Sequence, residues 1–185
     1  MNRYWEPKIN AFVVSVMPGE LHVTSEDVVI ATVLGSCVSA CVRDVWRGTG
    51  GINHFMLPDT VRGDEGSSAR YGVYALECLV NQVLGSRGKR ADLEVKAFGG
   101  GRVIDIGGDV GRRNIELVRR FFAEEEIPII SEDLGGQVAR RLRYWPKTGR
   151  AQMQSIPMNR AADVVASERR ARRRLTAALG AIELF

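Results

Sequence analysis

Histidine occurs only twice in this chain of 185 residues, at His22 and His54, and cysteine three times, at Cys37, Cys41 and Cys78. Cys37, Cys41 and His54 would offer zinc three soft ligands, but no fourth Cys or His stands at finger-like spacing, so a metal site is a minor possibility. An odd, small number of thiols argues against a disulfide framework and for a reducing compartment, which predicts a cytoplasmic protein. Long apolar runs are also missing. Stretches such as Val28 to Leu34 are far too short to span a bilayer, and residues 1–7 lack the shape of a signal peptide, so membrane insertion is not expected. Nor is the body strongly charged. Of the formal net charge of +4, six arginines against Asp163, Glu168 and Glu183 place +3 in the region from Arg160 onward, leaving about +1 for the rest. No repeat or low-complexity block is present.

What remains is a chain that is 45% hydrophobic, enough to bury one core in a single domain. Strands are expected at Ala11 to Val16, Val28 to Leu34, Leu93 to Phe98 and Ile127 to Ser131. Gln137 to Trp145 and Arg150 to Met158 bracket the turn Pro146-Lys147-Thr148-Gly149 as a hairpin. Asp59 to Ser68 has the composition of a loop. Tyr71, Tyr74, Ala75, Cys78, Leu79 and Val83 recur at helical spacing, which predicts a helix over about Ala69 to Leu84, closed by Gly85, with Cys78 in the core. A second helix is expected from about Val110 to Glu125, burying Ile115, Val118, Phe121 and Phe122. Beyond residue 159, Arg169 to Arg174 followed by Leu175, Ala178, Leu179 and Ile182 predicts a helix with a basic face and an apolar stripe. Nucleic acid, an acidic helix or anionic lipid can each bind such a face, as can the body of the protein itself. Five clustered arginines do not define a nucleic-acid module, and no nucleic-acid partner is expected. The expected class is α+β, a layered domain over residues 1–159 with an arginine-rich helical extension over 160–185.

One segment carries chemistry. Thr32-Val33-Leu34-Gly35-Ser36-Cys37-Val38 places a cysteine after Gly-Ser at the end of an apolar run, and His54 follows in Gly50-Gly51-Ile52-Asn53-His54-Phe55-Met56-Leu57-Pro58. Val38 to Val42 and Ile52 to Met56 read as a hairpin around Asp44 to Gly50. A turn centred between Val45 and Trp46 would set Cys37 opposite His54, and a small register error would leave them diagonal neighbours. Thiolate is the nucleophilic form of cysteine, and a neighbouring imidazole or oriented N–H groups favour it. Packing is the ordinary use of an isolated cysteine. Other residues have plain structural uses. Gly99-Gly100-Gly101 reads as a turn rather than a phosphate cradle, Asn114 as a helix-surface amide, Gly135-Gly136 as a tight turn and Arg140 as a strand charge facing solvent.

The cysteine and histidine segments, with Arg70-Tyr71, Phe98-Gly99-Gly100, Arg113-Asn114, Glu132-Asp133-Leu134-Gly135-Gly136 and Thr148-Gly149, resemble the CheD family of chemoreceptor glutamine deamidases over roughly residues 11–158. The resemblance implies a layered α/β/β sandwich and a hydrolase that converts glutamine side chains of methyl-accepting chemotaxis receptors to glutamate. It implies Cys37 as nucleophile and His54 as its acid and base, with no metal or cofactor. The family's histidine-orienting threonine lies six residues before the cysteine, where this chain has Ala31. Thr32 stands five before, so either Thr32 takes the role through a local bulge or a backbone carbonyl orients His54. The family also implies a CheC-type phosphatase as a partner, and with it an alternative role as a non-catalytic adaptor. The resemblance leaves the arginine-rich tail uncovered.

Overall fold

The computed structural model describes residues 1–57, 65–103 and 109–180. Along the chain run β1 (Asn2–Glu6), β2 (Ala11–Ser15), β3 (Leu21–Thr24), β4 (Val29–Leu34), β5 (Val38–Asp44) and β6 (Gly50–Asn53). Then come α1 (Glu65–Leu84), β7 (Leu93–Gly99), α2 (Val110–Glu124), β8 (Ile129–Leu134), β9 (Arg140–Trp145), β10 (Arg150–Ser155) and α3 (Met158–Gly180). The strands form two mixed five-stranded sheets, ordered β1-β2-β4-β9-β10 and β3-β6-β5-β7-β8.

Alternation along β5 sets the layers. Val38, Ala40 and Val42 pack with Leu76, Leu79 and Val83 of α1 and Val118 and Phe122 of α2. Cys37 and Cys41 face the other way, toward Ile30 and Leu34 of β4 and Leu142 and Tyr144 of β9. The result is the expected α+β sandwich, a helical layer on one sheet and the second sheet on its opposite face, with α3 added at the C-terminal end.

Several expectations are corrected. Cys41 pairs with Ile52 and Val38 bridges Phe55, so His54 lies opposite Ser39 and Cys37 two residues further along. The turn is centred between Trp46 and Arg47 rather than between Val45 and Trp46. Asp44 fixes it there: its N–H donates to Thr49 O, its carboxylate accepts from the Trp46 and Arg47 N–H groups, and Gly48 takes φ +64°. Cys37 and His54 are thus diagonal neighbours on one face. In α1, residues 65–68 are helical, while residues 59–64 of the expected loop lie outside the described residues. The helix buries Leu76, Leu79, Val80 and Val83; Tyr74 is 64% exposed and Cys78 only half-buried, because branched aliphatics rather than the tyrosines meet the sheet. The final hairpin strand stops at Ser155, and Met158 already begins α3. The inward stripe of α3 is Ala161, Val164, Val165, Glu168, Ala171 and Leu175, at steps of three and four. Ala178 is exposed, and Ile182 lies outside the described residues. Asn114 and Arg140, read as surface groups, are both buried. Periodicity assigns a face from apolar residues and cannot tell a buried amide or guanidinium from a solvated one. Among the described residues, no helix is long and apolar enough to cross a membrane.

Candidate active site

Between β4 and β5, the turn Gly35-Ser36-Cys37 has all three carbonyls tied into the body of the protein. Gly35 O accepts from Gly101 N–H at 2.7 Å, Ser36 O from the Asn114 side-chain amide at 2.8 Å, and Cys37 O from Gly100 N–H at 2.7 Å. Asn114 also accepts from Leu57 N–H at 2.9 Å, linking the cysteine turn to the histidine segment. The glycines are required here. Gly99 and Gly100 take φ +106° and +68°, and a side chain at Gly99 would collide with the Cys37 carbonyl. Gly99-Gly100-Gly101 is therefore the structural turn expected, one that holds the cysteine.

With the carbonyls turned inward, the three N–H groups point the other way. They converge on the carboxylate of Glu168 in α3: Oε1 accepts from Gly35 at 2.7 Å and Cys37 at 3.2 Å, and Oε2 from Ser36 N–H and Ser36 Oγ, both at 2.8 Å. Such a concave run of N–H donors is an anion-binding nest. Gly35 allows the approach, since a β-carbon there would stand 2.8 Å from Oε2.

Thr32 joins the site from β4. Its hydroxyl donates to Val16 O at 2.7 Å and lies 2.7 Å from His54 Nδ1. A hydroxyl has one proton, and Val16 receives it, so Nδ1 must carry the proton of the imidazole and donate it to Thr32 Oγ1. That leaves Nε2 as the basic nitrogen, and it is buried with no hydrogen-bond partner. No bulge is needed for this. β4 runs in unbroken register against β9, with Ile30, Thr32 and Leu34 on the inner face, while Ala31 packs with Val13 and Val29 on the other.

Cys37 and His54 are 0% and 1% exposed. Cys37 Sγ, a ring nitrogen of His54 and a carboxylate oxygen of Glu168 all lie within 4.8 Å of one another. These are the described residues that could hold a metal ion together, but both Glu168 oxygens are already engaged by the four donors of the nest. Burial pushes the Cys37 thiol well up, and the charge and hydrogen bonding of Glu168 push it further. Burial also lowers His54 below its ordinary value of 6.5, against opposing pulls from Glu168 and Glu20. With α3 seated, the favoured pair is neutral thiol and neutral imidazole, not the activated thiolate that the sequence suggested.

Three features escaped the sequence: Asn114 as the anchor of the cysteine turn, the tautomer set by Val16 and Thr32, and Glu168. Only the last left a trace, as the lone acid at the head of the arginine run.

A sequence model described as CheD chemotactic sensory transduction matches residues 56–155. The chain is 46% identical over 177 residues to a protein of Halorhodospira halophila named probable chemoreceptor glutamine deamidase CheD, covering 91% of this chain and 81% of that one. Proteins of the same name from Methylobacillus flagellatus and Cupriavidus metallidurans are 39% and 41% identical, covering 100% and 99% of this chain and 95% and 89% of theirs. In these two the similarity runs through the arginine-rich tail, which the motifs alone had left uncovered.

Proposed function

Because the chain belongs to the CheD family, we propose that it hydrolyses glutamine side chains of chemotaxis receptors to glutamate, with Cys37 as nucleophile. The observation that carries this reading is the convergence of Cys37, the free Nε2 of His54 and an anion-binding turn at one buried point. Relatives named chemoreceptor glutamine deamidase support the substrate.

His54 Nε2 takes the Cys37 proton as Sγ adds to the glutamine amide carbon. The carbonyl oxygen becomes an oxyanion, and the N–H groups of Gly35, Ser36 and Cys37 are positioned to receive it. The imidazolium, steadied through Nδ1–H by Thr32, protonates the departing nitrogen as the C–N bond breaks and ammonia leaves. Water then adds to the thioester with Nε2 as base, the C–S bond breaks, and the thiol returns with glutamate as product. The test is mass spectrometry of a receptor cytoplasmic fragment incubated with wild type and with Cys37→Ala. Conversion by the wild type alone is expected; conversion by Cys37→Ala at the wild-type rate, or by neither protein while both are folded, overturns the reading.

A further inference from the structure

Glu168 reaches across from the C-terminal helix to the turn that would receive the oxyanion. We propose that α3 is a product mimic held in cis, with the Glu168 side chain occupying the place of the substrate side chain and α3 occupying the groove in which a helix carrying the target glutamine docks. The proposal rests on the deamidase reading of the same site.

Four observations carry it. A glutamate side chain is what hydrolysis of a glutamine leaves behind, and here it is 4% exposed with both oxygens on the donors of the cysteine turn. Its carboxylate lies within 4.8 Å of the Cys37 sulfur and a His54 nitrogen, close to both groups of the proposed chemistry. α3 also closes the site. Open space flanks the helix on both sides, against Ser36, Met56 and Arg172 on one and Thr32, His54 and Ser167 on the other, yet Cys37 and His54 themselves are sealed. A glutamine from another chain cannot reach Sγ until α3 lifts. Finally, the apolar part of the hold on α3 is a thin stripe. Apart from Glu168, its inward residues are small or half-buried, Ala161, Val164, Val165, Ala171 and Leu175, and they lie at the helical steps that an incoming helix would reproduce.

The seated carboxylate also raises the Cys37 thiol, so the closed form is chemically quiet as well as sealed. Displacement of α3 removes both constraints at once. The substrate class that follows is a helix presenting glutamine from an apolar stripe, in competition with the protein's own C-terminal helix.

Glu168→Gln provides the test in the full chain, because it converts the mimic into a substrate. Cys37 Sγ would add to the amide carbon of the introduced glutamine, ammonia would leave with a proton from His54, and water would release the thioester as glutamate. Peptide mapping of the purified variant is expected to find glutamate at position 168, and glutamine in the Cys37→Ala, Glu168→Gln double variant. In parallel, Glu168→Ala is expected to convert a receptor fragment at least about tenfold faster than wild type and to expose Cys37 to alkylation by a comparable factor. An intact glutamine at position 168, in a preparation that still converts the receptor fragment, overturns the proposal and leaves the deamidase reading standing. So does a Glu168→Ala protein that is folded but no faster, or one that is inactive where the wild type is active, which would place Glu168 in the chemistry itself. Failure of wild type, Glu168→Gln and Glu168→Ala alike to convert any glutamine overturns both.

Discussion

Cys37 owes its position less to its own side chain than to what its neighbours do with their carbonyls. With Gly101, Asn114 and Gly100 holding three successive oxygens, the N–H groups have one direction left to point. Gly35→Ala is therefore expected to lower kcat about a hundredfold, the usual cost of disabling an oxyanion donor, because the added methyl fills the space the oxyanion needs. Steady-state kinetics with near-wild-type circular dichroism would check it. Thr32→Val removes the acceptor that fixes the His54 tautomer. It is expected to lower kcat about tenfold with KM little changed, whereas Thr32→Ser should retain most of the rate. In alkylation of the wild type, half-buried Cys78 is expected to react ahead of Cys37 and Cys41, both fully buried; mass mapping of the labelled thiols decides it. That Cys37 and His54 would meet was legible in the sequence, because the hairpin between them brings the two segments side by side. Glu168 was not, since a contact separated by 131 residues leaves no local pattern.

At the scale of elements, strands were recognised where apolar residues alternate or run together, as in β4, β5 and β7. β1 and β3 were missed. β1 is almost wholly exposed and β3 only half-buried, so neither carries the hydrophobic signature on which recognition depends. The hairpin register was set by one carboxylate: the acceptor at Asp44 decides where the turn closes, and no periodicity reports that. α2 shows the limit from the other side: Val118, Phe121 and Phe122 are buried as expected, but Ile115 is only half-buried and the amide of Asn114 lies in the midst of the buried face. Asn114→Ala should release the Ser36 carbonyl and the Leu57 N–H together. We expect a loss of about 2–4 kcal/mol in unfolding free energy, as a buried N–H and a part-buried carbonyl lose their partner, and a larger fall in kcat than in stability would imply. Urea titration and kinetics on the same preparation measure both.

For the whole molecule, layering puts the titratable pair between two sheets, and stability inherits its pH dependence. His54 is held below its ordinary 6.5, so the unfolded chain binds a proton that the folded one refuses as pH falls below that value. Stability contributed by the neutral imidazole is present above about pH 6.5 and is lost below it, at up to about 1.4 kcal/mol per pH unit. Cys37 acts on the other flank: its raised thiol keeps its proton in the folded state while the unfolded thiol ionises, so stability falls as pH rises past the ordinary thiol value. Urea midpoints from pH 5 to 10 should trace a dome, flattened on the acid side by His54→Gln and on the alkaline side by Cys37→Ala. The turn that grips the Glu168 carboxylate would, in the proposed reaction, hold the product carboxylate in the same way. Departure of the finished side chain, rather than bond breaking, would then set the pace of turnover.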